Sequence, residues 1–265
     1  MDTIQPVAGT FLNRILRDKR AEVEARKAAE PEGALAGRAA AAAPVRRAVL
    51  RGSGLTVIAE VKRASPSAGS FGAGLDAVAQ ARRYATGGAA MISVLTDGPY
   101  FQGSLADLAG ARAAVATPLL RKDFIIDEYQ LLEARAAGAD LVLLIVAALP
   151  AERLAPLLDA THRLGMEALV EVHTEWEARL ANGLGASLVG INNRDLHSFE
   201  VDMGTTARLR PLLGAETIVA ALSGVRTVED ARAMRSAGAD AILVGEALIR
   251  SSQPEALLAA LGGVA

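Results

Sequence analysis

Residues 136–146 read AAGADLVLLIV, and residues 236–245 read SAGADAILVG. Each joins a glycine turn to a short apolar run rich in Val, Ile and Leu, the composition of a strand buried on both faces. The glycine suits the left-handed residue that ends a preceding helix, and a looser copy, GLGAS, stands at 183–187. Such an echo predicts one strand–helix unit repeated along the chain. Working outward, comparable runs occupy Leu55–Lys62, Ala89–Leu95, Pro118–Lys122, Asp140–Val146, Glu167–Val172, Ser187–Asn192, Thr217–Leu222 and Ala241–Gly245. They end roughly 20 to 33 residues apart, the length that a strand, a helix and two short loops require. Between them, Leu154, Leu157, Leu158 and Leu164, and again Val228, Ala231 and Met234, recur at helical spacing. Eight units in 265 residues predict a (β/α)₈ TIM barrel over residues 51–265. The rival, an open doubly wound sheet, would usually carry GxGxxG after its first strand. None follows any run, and the GSG at 52–54 precedes a strand and reads as a turn.

Residues 1–50 lie outside the repeat and are expected to form an N-terminal helical extension packed on the barrel, within one domain. Thr10–Ala29 is amphipathic, with Phe11, Leu12, Ile15, Leu16 and Val23 along one side. A second helix is expected over the Ala-rich Arg38–Leu50, entered after Pro31 and Gly33. The extension is either a solvated element held by its apolar stripe or a lid over one barrel mouth.

Composition narrows the function. An apolar share of 51% and a charged share of 22% exclude disorder along the whole chain. The 28 Lys and Arg against 30 Asp and Glu leave a net charge of −2, with no global attraction to nucleic acid or anionic lipid. Aromatics at 3% are too few for a base-stacking platform. With no cysteine there are no disulfides, thiolate metal sites or cysteine nucleophiles. Met1–Thr10 lacks the pattern of a signal peptide, and the longest apolar stretch, Leu141–Pro150, is about half a membrane span. A cytoplasmic protein without nucleic-acid or membrane partners is expected.

In such a barrel the chemistry sits at the C-terminal ends of the strands. Glu60 and Lys62 are two residues apart at the end of the first run, so they share a face opposite to Ala59 and Val61. Lys122 ends the third run, Glu171 stands at the end of the fifth, and Asn192 ends the sixth. Any one charge at a strand end can simply reach water. Two lysines and two glutamates together compensate one another's burial and supply acids and bases, which marks a site. A nearby carboxylate and partial desolvation pull a lysine pKa in opposite directions, which permits tuning. After the seventh and eighth runs, Ser223-Gly224-Val225 and Gly245-Glu246-Ala247-Leu248 lead into helix starts. Small residues there commonly expose N–H groups that hold a phosphate. A phosphorylated small molecule is the implied ligand.

These residues occur within AEVKRASPS (59–67), ISVLTDGPYFQGS (92–104), LLRKDFIID (119–127), LLIV (143–146), LVEVH (169–173), GINNRDL (190–196), SGV (223–225) and LVGEALIR (243–250). In these motifs the chain resembles the indole-3-glycerol-phosphate synthase family of tryptophan biosynthesis, from the N-terminal helix to the last barrel helix. The resemblance implies a decarboxylating, dehydrating ring closure of 1-(o-carboxyphenylamino)-1-deoxyribulose 5-phosphate to indole-3-glycerol phosphate. It implies no cofactor and no metal, in keeping with His162, His173 and His197, which lack zinc-ligand spacing. Carried over by motif, Lys122 is the general acid that protonates the ketone. Lys62 contacts the anionic groups and donates a proton during dehydration. Glu171 is the base or dehydration catalyst, Glu60 orients Lys62, and Asn192 hydrogen-bonds near the reacting hydroxyl. Phe101, Phe124 and Leu143 match the apolar pocket, with core packing as the alternative, and Ser65 falls in the substrate-binding set. Arg194, Ser223, Gly224 and Gly245 match the phosphate end.

Two positions stand apart. Where the family usually has a glutamate before the SG of the seventh strand, this chain has Leu222, which predicts weakened turnover. Glu246 follows Gly245, so only its backbone N–H is expected near the anion. Leu222 keeps open a non-catalytic phosphosugar-binding barrel. A phosphoribosyl anthranilate isomerase, which commonly uses a Cys/Asp pair, is the remaining rival. A monomer or weak homodimer is expected.

Overall fold

The computed structural model describes residues 10–66, 69–72, 74–195 and 198–265. Expectations that fall on residues 1–9, Ser67, Leu196 and His197 therefore lie outside the described residues. Eight strands, Thr56–Val61, Met91–Leu95, Leu119–Lys122, Leu141–Ile145, Glu167–Val172, Leu188–Asn192, Ile218–Leu222 and Ala241–Val244, close into a barrel. Every pairing is parallel, and closure comes from the first strand, which pairs with the second (Ile58↔Met91) and with the eighth (Thr56↔Ala241). Each run of the sequence becomes a strand, trimmed by at most two residues at an end.

The two-residue period of a strand sorts the side chains into two cores. Ile58 joins Met91, Leu120, Leu143, Leu169 and Leu222 inside the barrel. Val57, Ala59 and Val61 face outward and pack with Ala81, Tyr84 and Leu108 of the surrounding helices. Glu60 is in phase with Ile58, so its carboxylate is turned into the barrel end.

The repeated GAD phrase has a structural reason. Gly138 and Gly238 hold φ of 85° and 89°, a conformation that only glycine adopts without strain. The Asp that follows caps the neighbouring strand. Asp140 accepts from the Leu119 N–H at 2.8 Å and from the Arg46 N–H at 2.7 Å. Asp240 accepts from the Val219 N–H at 2.9 Å and from Arg51 Nε at 2.9 Å. Both aspartates thereby tie the segment that enters the barrel to its N-terminal face.

The first helix runs Phe11–Ala29, with the Thr10 hydroxyl accepting from the Asn13 N–H as its cap. The second runs Glu32–Ala41, not over Arg38–Leu50. Pro31 starts it at the N-cap, and Pro44 forbids its continuation, because proline lacks the N–H and crowds the carbonyl four residues back. A two-residue antiparallel hairpin, Ala64–Ser65 with Gly69–Ser70, follows the first strand and is too short to leave a periodic signal. No helix among the described residues is long and apolar enough to cross a membrane.

Candidate active site

One cavity opens at the C-terminal ends of the strands, and Glu60, Lys62, Lys122, Glu171 and Asn192 all line it. Glu60 is the hub. Its carboxylate is 4% exposed, it bonds to the Lys62 ammonium through Oε2, and Lys122 Nζ stands 3.8 Å from its Oε1. Burial alone would raise the Glu60 pKa; the Lys62 and Lys122 charges outweigh it and hold the carboxyl below its ordinary range. Gly245 completes this seat, because a Cβ there would collide with the Glu60 carboxylate.

Glu171 is 2% exposed and is fixed from two sides. Asn192 Nδ2 donates to its Oε1 at 2.9 Å, and His173 Nε2 lies 3.2 Å from the same oxygen. Its Oε2 is buried without a hydrogen-bond partner among the described residues. Burial pushes the Glu171 pKa up, but the His173 contact and the Lys122 charge prevail and bring it to about 2. Both glutamates are therefore carboxylates at neutral pH, which leaves the lysines as the proton donors of this group.

The walls are apolar on one side. Phe101 and Phe124 line the cavity with ring centroids 6.2 Å apart. Leu143 does not line it: at 1% exposure it lies in the interior core, and Ile145 takes the wall position. Both face inward, but Ile145 stands one layer nearer the mouth. Phe11, Leu12 and Ile15 bring the N-terminal helix onto the cavity, and Phe11 packs edge-on to Phe199 at 5.3 Å. Leu222 lines the cavity as well and fills the space left by Gly190, where a Cβ would meet its Cδ1 at 2.7 Å.

Ser65, Arg194, Ser223, Gly224, Gly245 and Glu246 border the same cavity. Ser223 and Gly224 adopt φ of 63° and 91°, a tight left-handed turn directly after the seventh strand. The helix Glu246–Arg250 starts at Gly245, and its first N–H groups have no partner within the helix. Glu246 Oε1 accepts from Arg250 Nε at 3.0 Å, so its carboxylate is engaged along its own helix. Arg194 Nη1 donates to the Phe199 carbonyl at 2.8 Å, which folds the loop after the sixth strand over the cavity rim.

A second cluster went unread in the sequence. Lys19 is 1% exposed on the apolar stripe of the first helix, with its Nζ 2.9 Å from Asp97, 2.9 Å from Asp123 and 2.7 Å from Glu22. Asp123 Oδ2 also takes Arg121 Nη2 at 3.0 Å and the Thr96 hydroxyl at 2.6 Å, and Arg121 reaches Glu133 at 3.1 Å. This network flanks Lys122 on both sides in sequence and ties the N-terminal helix to the strand that carries it. No signal short of the fold marks it, since a lone Lys within Ile15–Val23 reads as solvated. Among the described residues no group of three or more His, Asp or Glu side chains is arranged to hold a metal ion.

The family model for indole-3-glycerol phosphate synthase matches residues 12–261. A curated protein of that name from Roseiflexus sp. (strain RS-1) is 52% identical over 265 residues, covering 96% of this chain and 98% of its own length. One from Mycobacterium ulcerans (strain Agy99) is 53% identical, covering 95% and 93%. Another, from Rhodococcus opacus (strain B4), is 52% identical, covering 95% and 94%.

Proposed function

The chain belongs to the indole-3-glycerol phosphate synthase family, the carboxy-lyases that close the indole ring in tryptophan biosynthesis, and on that premise we propose how its own residues divide the work. The single observation that carries the division is the unequal commitment of four converging groups. Among the described residues, Lys62 is bound to Glu60, Lys122 has a 3.8 Å contact as its one ion pair, and Glu171 keeps one oxygen open.

Lys122, the less engaged ammonium, donates its proton to the ketone oxygen as the aromatic carbon attacks the ketone carbon. The new C–C bond leaves a hydroxyl on the former ketone carbon, and CO₂ departs from the ring carbon that made the attack, its electron pair restoring the aromatic ring. Lys62, oriented by Glu60, holds the substrate's anionic groups and protonates the hydroxyl as it leaves as water. Glu171 Oε2 accepts the proton that the methylene carbon beside the nitrogen loses as water leaves and the new ring double bond forms, and Asn192 steadies that carboxylate. Phe101, Phe124 and Ile145 receive the benzoate ring, and Ser65 closes the pocket from the first loop. Ser223, Gly224, Gly245 and the Glu246 N–H take the phosphate with Arg194 at the rim, as the left-handed turn and the helix start support.

Leu222 places methyl groups where a carboxylate would pair with the lysines, and it lowers turnover without abolishing it. The reading also makes the enzyme cytoplasmic and a monomer or weak homodimer, without nucleic-acid or membrane partners; the net charge of −2 and the absence of cysteine favour this. Incubating the purified chain with the carboxyphenylamino substrate and following indole fluorescence tests the function. Release of one CO₂ per indole formed is expected; tight ligand binding without product would leave a binding barrel instead.

A further inference from the structure

His173 stands behind the cavity wall. It does not line the cavity, yet it is placed between two carboxylates. Its Nδ1 is hydrogen-bonded to Glu177 Oε2 at 3.3 Å, and its Nε2 lies 3.2 Å from Glu171 Oε1, a charge contact without hydrogen-bond alignment. Glu177, on the helix Glu175–Gly183, is fixed by its own contact, since the same Oε2 accepts the His173 N–H at 2.6 Å. A neutral imidazole has one N–H and one lone pair, so it would turn a lone pair on one of these anions. Only the imidazolium turns an N–H and positive charge toward both.

The charge balance points the same way. Glu60, Glu171 and Glu177 are three carboxylates, and Lys62, Lys122 and a charged His173 are three cations. With His173 neutral, the group would carry an excess negative charge against an anionic substrate.

We infer that His173, held as an imidazolium by Glu177, is a positioning residue for Glu171: its charge beside Oε1, with the Asn192 hydrogen bond, holds the carboxylate in place and ionised, so that Oε2 is offered to the substrate proton. This rests on Glu171 as the proton acceptor. The groups that face the pair are Glu177 from the adjoining helix, Asn192 from the sixth strand, Lys122 from the third and Glu60 from the first. Burial pulls the His173 pKa down, but Glu171 and Glu177 prevail and raise it to about 9, consistent with the geometry.

Imidazole-labelled protein followed by NMR, with the His173 signal assigned through His173→Gln, reads the charge directly. The signal should stay in its protonated position through pH 8 and should titrate lower in Glu177→Gln. A wild-type signal that titrates near 6.5 overturns the proposal. In kinetics, His173→Gln and Glu177→Gln should lower kcat by about tenfold while KM changes by less than about twofold. The acid limb of the kcat profile should also rise by about one pH unit or more in His173→Gln. A loss of thermal stability with the pH limb unmoved would make His173 merely structural and contradict the inference. Glu171→Gln separates the two levels. If it loses activity while His173→Gln and Glu177→Gln keep it, the positioning role alone is wrong; if it retains wild-type kcat, the acceptor assignment falls and the positioning role with it.

Discussion

Arg121 and Lys122 are neighbours on the third strand, but they serve two clusters of opposite character. Arg121 points outward into a sealed network in which Lys19 and Arg121 each meet two or more carboxylates. Asp123 has Lys19 on one oxygen and Arg121 with Thr96 on the other, and Glu133 has both Arg121 and Arg26. Lys122 points inward to a cluster that is left incomplete. It has one 3.8 Å contact, and one oxygen of Glu171 has no hydrogen-bond partner among the described residues. The residue types are the same. What differs is charge pairing and access: ammonium and guanidinium groups sealed among several carboxylates rigidify a fold, whereas groups with few charge partners at a cavity are available to a substrate.

The sharpest way to break this contrast is to remove one cation from each side. Lys122→Ala should lower kcat by about a thousandfold and leave the melting temperature almost unchanged. Lys19→Met should do the reverse. Asp97 and Asp123 would lose a buried partner, at a cost of about 3–5 kcal/mol and a melting temperature about 10 °C lower. Calorimetry and steady-state rates on the two variants check both. If Lys19→Met were the catalytic loss and Lys122→Ala the structural one, the division would be reversed.

A pH series sharpens it further. The folded-state pKa of His173 is raised from 6.5 to about 9, so the stability it contributes is whole below 6.5 and is lost as pH climbs through about 9. The melting temperature should fall by about 5 °C across that window, and the slope should be much reduced in His173→Gln. Asp123 contributes no such slope. Its carboxyl is held well below the ordinary range because Arg121 and Lys19 outweigh its burial, so it is ionised throughout. The smallest expected effect is a gain: Leu222→Glu should raise kcat/KM by about tenfold, measured by indole fluorescence. No gain would count against the proposal that the missing carboxylate slows turnover.

These contrasts also show what the chain reveals before it folds. The eight strands are legible because each is a short apolar run bounded by Gly, Pro or polar residues, and the period of two then puts Glu60 and Lys62 on one face. The second helix is misplaced because alanine alone suits a helix anywhere in 32–50, and Pro44 decides the matter. Leu143 and Ile145 are indistinguishable in sequence, since both face inward and only the depth of the barrel separates them. The Lys19–Asp123 and Arg26–Glu133 contacts join residues about a hundred positions apart, and no local pattern records them. His173 and Glu177 are four apart across a strand–helix junction, where neither the strand nor the helix period applies.

The most direct measurement is a structure with indole-3-glycerol phosphate bound. The account predicts the phosphate within about 3 Å of the Gly224 and Glu246 N–H groups, with the indole against Phe101 and Phe124. Lys122 Nζ and Glu171 Oε2 would then face the newly formed ring from two sides. A product bound with its ring away from Lys122, or a phosphate seated elsewhere than between the seventh and eighth strands, would contradict it.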